Sequence, residues 1–350
     1  MSSIKEGTKV LIITISLFFL VDFATTWLYG ARGFSLFFVS DDIEGRHNKP
    51  GFSGGFGGPL SEFNGQVNIG NSGERLSNPA TCKNALSKVL FIGDSTTAGF
   101  EVDDKETFIS LFNNQCVTTK MSGTNFGVRA HDSHAVIGTY KRVSSSFPHN
   151  YVVYLMTPND FEENLQPRTY ENMTKRFGRR FEGRVIKPVD DQIWHAYAAL
   201  RLFVSDKLTF TTAAIRQIEH QLKGSPTAAQ ETRTNIDNQV QKAFELIHQL
   251  SDMVSANGAE LVIIPYPKLN SNIDSERIKT KLLSELITKN LEEVFYIDKV
   301  DSLVAEKVQL DGRELPEMRF KYDGHLSKYG HKIISEVLLD IFEDLNTSTN

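Results

Sequence analysis

Lys88-Val-Leu-Phe-Ile-Gly-Asp-Ser-Thr-Thr-Ala-Gly99 is the stretch whose reading decides the fold. Val89 to Ile92 form a short apolar run bounded by Lys88 and Gly93, the pattern of a strand buried on both faces. The polar step Asp94-Ser95-Thr96 follows, and after it Glu106, Phe108, Ile109, Leu111 and Phe112 resume an apolar pattern at helical spacing. A strand that turns so abruptly into a helix leaves its junction residue at the carboxyl end of a parallel sheet, where open α/β sheets bind ligands. Ser95 therefore either caps a helix or presents its hydroxyl to a ligand, and the stretch alone leaves both open.

Downstream, the same alternation repeats. A weaker strand is expected near 117 to 122, then Asn125-Phe-Gly-Val128 and a helical stretch near 132 to 144. Tyr151-Val-Val-Tyr-Leu-Met156 reads as a third strand ending at Thr157-Pro-Asn-Asp160. Apolar positions at Val240, Ala243, Phe244, Leu246, Ile247, Leu250 and Val254, closed by Gly258, predict a helix over 231 to 257. Leu261 to Pro265 and Val294 to Ile297 supply two more strands, with helices predicted over 273 to 290 and 327 to 343. Strands separated by helices predict a parallel sheet covered on both faces.

The 350 residues suffice for one α/β domain with insertions, and 40% apolar with 23% charged residues is a globular composition. A net charge of −5 gives no global attraction to nucleic acid, which is not expected as a partner. The two cysteines, Cys82 and Cys116, occur without CxxC, a His-Cys cluster or HExxH, so neither a metal site nor a cofactor is expected. They form one disulfide in an oxidising compartment or stay as two buried thiols.

Residues 10 to 29 contain one charge, Asp22, and are long enough to cross a bilayer as a helix. Lys5 and Lys9 precede them and Trp27 and Tyr29 close them, which predicts a cytoplasmic N-terminus and an exported body. Because no small-x-small cleavage site follows, residues 1 to 30 read as an uncleaved single-pass anchor in the cell membrane. Gly51-Phe-Ser-Gly-Gly-Phe-Gly-Gly-Pro59 then makes 31 to 64 a glycine-rich linker. At 161 to 230 the alternation breaks, and an insertion is expected there. It carries Lys175, Arg176, Arg179, Arg180, Arg184 and Lys187 interleaved with Phe177 and Phe181, a group suited to anionic headgroups or an acidic polymer, or simply a solvated face. An amphipathic helix is expected over 192 to 209.

Near the far end stands Tyr322-Asp-Gly-His-Leu-Ser-Lys-Tyr-Gly-His331. An acid two residues before a histidine can hold one imidazole nitrogen while the other faces a hydroxyl, so Ser95, His325 and Asp323 have the types of a nucleophile, its base and the group that orients the base. His331, inside the last helix, reads as structural.

Four blocks in order, Gly93-Asp-Ser95, Asn125-Phe-Gly127-Val128, Asn159-Asp160 and Asp323-Gly-His325, together with Gly70-Asn-Ser-Gly-Glu-Arg75, resemble the bacterial membrane-anchored branch of the GDSL-like (SGNH) hydrolase family. The resemblance covers about 65 to 345. It implies a flavodoxin-like three-layer α/β/α fold with a five-stranded parallel sheet, here preceded by a transmembrane helix. It also implies Ser95 as nucleophile, His325 as general base and then acid, and an oxyanion hole made of the Ser95 and Gly127 backbone N–H groups and the Asn159 amide. Gly127 would let the backbone approach substrate without a Cβ, and a helix starting at Ser95 would add its positive end. The third block departs from the family's GxND, with Thr157 in place of the glycine, and the last is DxH where the family commonly has DxxH. Arg129, His131 and His134, on the loop after Gly127, are candidate substrate contacts, while Asp94 and Asp160 are expected to hold loops.

The implied activity is that of a serine esterase removing an O-acyl group, such as O-acetyl, from a cell-envelope carbohydrate or lipid. An O-acyltransferase on the same fold and an inactive tethered glycan-binding module are the alternatives.

Overall fold

The computed structural model describes residues 2–29, 38–41, 44–57, 62–77, 85–165, 233–267, 274–321 and 323–348. The chain opens with helix α1 (Ser2–Tyr29) and two antiparallel hairpins, β1 (Phe38–Asp41) with β2 (Gly45–Asn48) and β3 (Ser53–Gly57) with β4 (Asn64–Asn68). The body follows: β5 (Ser87–Gly93), α2 (Ser95–Ala98), α3 (Phe108–Asn114), α4 (Cys116–Thr119), β6 (Met121–Asn125), α5 (Ser133–Val143), β7 (Tyr151–Met156) and α6 (Pro158–Glu163). Then come α7 (Arg233–Ala256), β8 (Glu260–Pro265), α8 (Asp274–Asn290), β9 (Val294–Tyr296), α9 (Val300–Leu310) and α10 (Lys328–Ser348).

Five strands form one parallel sheet in the order β6-β5-β7-β8-β9. Counted from β5 this is the 2-1-3-4-5 order of flavodoxin-like sheets, whose ligand crevice lies where the first and third strands diverge. Here those are β5 and β7. Leu90, Ile92, Val152, Tyr154, Leu261 and Ile263 face a layer built from α5, α7 and α8. Val89, Phe91, Val153, Leu155, Val262 and Ile264 face α3, α9 and α10. The three central strands β5, β7 and β8 are thus buried on both sides, which is why each reads as a continuous apolar run rather than an alternating one.

Two expectations are corrected. The strand near 117 to 122 is the single turn α4 followed by β6 at Met121–Asn125. Lys120 ends the turn in a left-handed conformation (φ 58°), and Asn113 brackets Gly123 by donating to its carbonyl at 2.9 Å and accepting from its N–H at 2.6 Å. Secondly, the stretch 31 to 64 is not a linker over its described residues: Gly45, Gly54, Gly55 and Gly57 belong to paired strands. Gly57 and Gly65 are forced by close approach, since a Cβ on Gly65 would lie 2.4 Å from the Phe100 carbonyl oxygen and 2.6 Å from that of Val102. Phe56, Val67, Ile69, Ala98 and Phe100 make a small core between the hairpins and the segment after Ser95. The folded body therefore begins before residue 65.

The expected anchor falls on α1. It is a 28-residue helix, and Val10 to Val21 expose apolar side chains, Leu20 to 67%. Its described side chains cover only 8–24, and among the described residues no helix is long and apolar enough to cross a membrane. The insertion is described only for 161–165; the basic group at 175 to 187 and the helix expected over 192 to 209 lie outside the described residues. Cys116 is disulfide-bonded, the only other cysteine in the sequence is Cys82, and Cys82 also lies outside the described residues.

Candidate active site

At the end of β5 the chain turns through Gly93, whose φ is 155°. A Cβ at that position would lie 2.3 Å from Thr97 Oγ1 and 3.2 Å from the Leu155 carbonyl oxygen, so no side chain fits. Asp94 caps the next turn by accepting from the Thr96 N–H at 2.8 Å. Ser95 is the first residue of that turn, and the Gly99 N–H closes it on the Ser95 carbonyl at 2.9 Å. The turn is only four residues long. The expected positive end of a helix at Ser95 is therefore corrected to one turn of N–H groups, with little macrodipole behind them.

The other half of the site comes from the loop before α10. Arg319 bridges Leu326, and the Phe320 N–H donates to the His325 carbonyl at 2.9 Å, so 319 and 320 run antiparallel to 325 and 326. Gly324 sits at the loop's tip with φ 85°. That conformation folds Asp323 back toward its neighbour, which is how a spacing one residue shorter than DxxH still brings acid and imidazole together.

The result is a connected chain of three groups. His325 Nε2 lies 2.8 Å from Ser95 Oγ, and His325 Nδ1 is hydrogen-bonded to Asp323 Oδ1. Ser95 is half-buried, and the side chains of His325 and Asp323 keep 21% and 26% of their surface in solvent, so the site is open to a ligand. Burial works to lower the His325 pKa, but the hydrogen bond its Nδ1 donates to Asp323 and the charge of Glu101 prevail and raise it above 6.5. For Asp323, burial pushes upward, and its hydrogen bond and charge interaction with His325 hold it below the usual carboxylate value.

Of the oxyanion donors expected from sequence, one is free to act without rearrangement. The Ser95 N–H has no acceptor among the described residues. The Gly127 N–H instead donates to Asn125 Oδ1 at 2.9 Å in a buried setting. Glycine is required here by the protein itself: a Cβ would lie 2.3 Å from the Ala98 nitrogen and 2.6 Å from the Thr97 carbonyl carbon, in the Ser95 turn. Asn159 is exposed on α6, and its amide donates to Glu163 Oε2 at 3.2 Å, one turn along the same helix.

The three candidate substrate contacts are engaged elsewhere. Arg129 pairs with Glu101 through Nη1, and its guanidinium lies 4.8 Å over the Phe56 ring. His131 is buried, with Nε2 2.7 Å from the Arg46 carbonyl and Nδ1 3.4 Å from Thr139 Oγ1. His134 Nε2 sits 3.2 Å from the Asn164 carbonyl. They tie the loop after Gly127 to β2 and to the end of α6.

Asp94 and Asp160 hold loops, as expected. Asp94 Oδ2 accepts from Thr157 Oγ1 at 3.0 Å, so the residue that replaces the family's glycine binds the end of β7 to the end of β5. Asp160 accepts from the Thr157 N–H at 3.0 Å and from the Tyr154 hydroxyl at 2.8 Å. Burial raises both acids, Asp160 the more strongly because Asp94 stands nearby. His331 is structural: it accepts the Phe108 N–H at 3.2 Å, and burial drives its pKa down to about 3.

Sequence reasoning missed Glu101. Its side chain is 1% exposed, and Oε1 lies 3.5 Å from His325 Nδ1. An acid inside the apolar run Ala98-Gly-Phe-Glu-Val102 was the signal that could have found it. Glu101, Asp323 and His325 bring ligand atoms within 4.8 Å of one another. Those atoms are already engaged with one another and with Arg129, the arrangement of an acid–base chain rather than of a cation's ligand set.

No protein-family model matches the chain, and no curated protein matches it in sequence. Among solved structures it is similar to a member of the lipolytic protein G-D-S-L family from Veillonella parvula at 11% identity, covering 73% of this chain and 98% of that one, with a TM-score of 0.41. It is also similar to the psychrotrophic esterase EstA from Pseudoalteromonas, at 10% identity over 74% and 99% of the two chains and a TM-score of 0.41. A variant of the acetyl xylan esterase Axe2 from Geobacillus stearothermophilus gives 11% identity, 74% and 95% coverage and a TM-score of 0.42.

Proposed function

We propose that this chain is a serine ester hydrolase of the GDSL-like type, working through an acyl-Ser95 intermediate. The observation that carries the reading is the 2.8 Å contact between His325 Nε2 and Ser95 Oγ, with Asp323 on the opposite ring nitrogen. In that arrangement His325 takes the hydroxyl proton as Ser95 Oγ attacks the ester carbonyl, and returns it to the leaving alcohol. Water then attacks the acyl carbon as it gives a proton to the same nitrogen, and that proton passes to Ser95 Oγ as the Oγ–acyl bond breaks and the acid leaves. The Ser95 N–H faces the developing oxyanion, and the exposed Asn159 amide joins it by exchanging its long bond to Glu163. Donors of this kind are each worth roughly 10²- to 10³-fold in rate, and catalytic hydrogen bonds commonly tighten only once substrate is bound.

Two further elements complete the proposal. Apolar side chains exposed along α1 and a disulfide at Cys116 support a membrane-anchored body on the oxidising side of the cell membrane. From that position the substrate is an O-acyl group of a cell-envelope carbohydrate or lipid.

Labelling with a fluorophosphonate tests the chemistry: modification at Ser95 that is lost in His325→Ala is the expected result, and folded protein that never labels overturns it. Acetate release from an aryl acetate should follow the same pattern. Cell fractionation of the full chain, with and without residues 1 to 30, tests the anchor, which fails if the full chain is soluble.

A further inference from the structure

We propose that Glu101 is a second orienting acid for His325, a buried carboxylate that shares the imidazole Nδ1 with Asp323 and replaces it when that carboxylate is removed. The proposal rests on the reading of Ser95 and His325 as nucleophile and base, and adds a positioning residue to it.

Two acids converge on one ring nitrogen, from different elements and with opposite exposure. Asp323 reaches Nδ1 from the exposed loop tip, whereas Glu101 reaches to 3.5 Å of it from the buried segment between the Ser95 turn and α3. Glu101 has a partner in Arg129, yet its Oε2 is buried with no hydrogen bond at all. A surface-seeking ion pair does not account for that placement, because a carboxylate left half-satisfied inside the protein is costly. Its position makes sense if its charge is used by the imidazole.

The groups that face His325 are Asp323 from its own loop, Glu101 and Arg129 from the segments after Ser95 and Gly127, Asp94 behind Ser95, and His331 from α10. With Asp323 and Glu101 ionised and Arg129 the only fixed cation among them, the resting cluster carries an excess negative charge. The proton that His325 takes from Ser95 neutralises it. Glu101 thereby stabilises the imidazolium of the transition state more than the neutral ring of the ground state, which is the condition for speeding the chemical step. Arg129, paired with Glu101, opposes its effect on His325.

The test is a double-mutant cycle of Glu101→Gln and Asp323→Ala, read by aryl acetate hydrolysis and by NMR titration of His325 in a Ser95→Ala background. Loss of a lone orienting acid is expected to cost about 10⁴-fold in kcat. Asp323→Ala should therefore cost markedly less than that in the parent, about 10²-fold, and the full factor in the Glu101→Gln background. Glu101→Gln alone should lower the His325 pKa, moving the acid limb of kcat/KM toward lower pH by about one unit, and Arg129→Gln should move it the other way. Equal cost of Asp323→Ala in both backgrounds, together with an unmoved His325 titration, overturns the proposal. If Glu101→Gln does not fold, replacing Glu101 and Arg129 together by methionine removes the buried pair without orphaning a charge, and a smaller lowering of the His325 titration is expected, because the two charges act on the ring in opposite senses and that of Glu101 is the stronger. Failure of Ser95 to label in the parent overturns the esterase reading itself; a labelled Ser95 with an unmoved His325 overturns only the role of Glu101.

Discussion

Arg75→Met should uncouple the nucleophile turn from the rest of the body. Arg75 is 1% exposed and spends its guanidinium on Asp104 Oδ1 at 2.9 Å and on the carbonyls of Ala98 at 2.8 Å, Val102 at 2.6 Å, Gln66 at 3.3 Å and Gly99. Ala98 and Gly99 end the turn that Ser95 begins, so one buried side chain satisfies the carbonyls that a four-residue helix cannot pair internally. Breaking a buried ion pair by removing one partner costs about 3 to 5 kcal/mol. Each orphaned buried carbonyl adds roughly 1 to 3 kcal/mol before relaxation. Asp104 keeps bonds to the Asn68 N–H and amide, which limits the sum. A net loss of about 4 kcal/mol follows, and at roughly 2 to 4 °C per kcal/mol for a domain of this class the melting temperature should fall by about 8 to 16 °C. Circular dichroism melts of parent and variant measure this, with fluorophosphonate labelling of Ser95 compared well below both transitions, where the variant should label more slowly. A melt within about 2 °C of the parent, with an unchanged labelling rate, would show that the guanidinium does not hold the turn.

Three more outcomes are expected. Gly127→Ala forces a Cβ to within 2.3 Å of the Ala98 nitrogen; backbone must move, so Ser95 labelling should drop at least tenfold and stability by about 1 to 3 kcal/mol, and unchanged labelling would refute the packing argument. His331 is depressed to about 3 by burial, so its contribution to stability is complete above 6.5 and is lost as pH falls toward 3; roughly 5 kcal/mol at most is at stake, and His331→Phe should show a shallower acid limb in denaturant titrations than the parent. A chain begun at residue 38 should label at Ser95 like the parent, while one begun at 65 should not; equal labelling would return the hairpins to the status of a linker.

The sheet was legible because burial on both faces writes itself into sequence as unbroken apolar runs, at Val89 to Ile92, Tyr151 to Met156 and Leu261 to Pro265. The long helix Arg233–Ala256 was legible for the complementary reason, one buried stripe closed by Gly258. The edge strand Met121–Asn125 was not, since Ser122, Gly123 and Thr124 lack strand character and are held by pairing with β5 and by the Asn113 amide. Glycine misled in the hairpins, where it marks backbone crowding rather than freedom; at Gly127 the crowding is against the Ser95 turn. Ser95, Asp323 and His325 could be picked out by order and type alone, whereas hydrogen-bond commitments, such as Gly127 to Asn125 and Asn159 to Glu163, depend on neighbours that no local pattern names.

The position of those hairpins bears on how the site is held. Glu62, just before β4, accepts the Asp323 N–H at 2.9 Å, and the Phe63 ring packs, tilted, with its centroid 5.4 Å from that of Phe320 at the root of the same loop. Asn48 on β2 donates to the Gly127 carbonyl at 3.0 Å, and Arg46 donates to the Arg129 carbonyl. Phe56 on β3 lies under the guanidinium that pairs with Glu101. The residues around His325 therefore rest on the N-terminal hairpins as much as on the sheet, which supplies only Ser95 and the β7 terminus directly. A site whose acid arm is braced from the N-terminal side ties the geometry of the imidazole to the segment that follows α1. Any change that displaces the hairpins then bears on His325 through Glu62 and Phe63 and on the nucleophile turn through the core shared with Ala98 and Phe100.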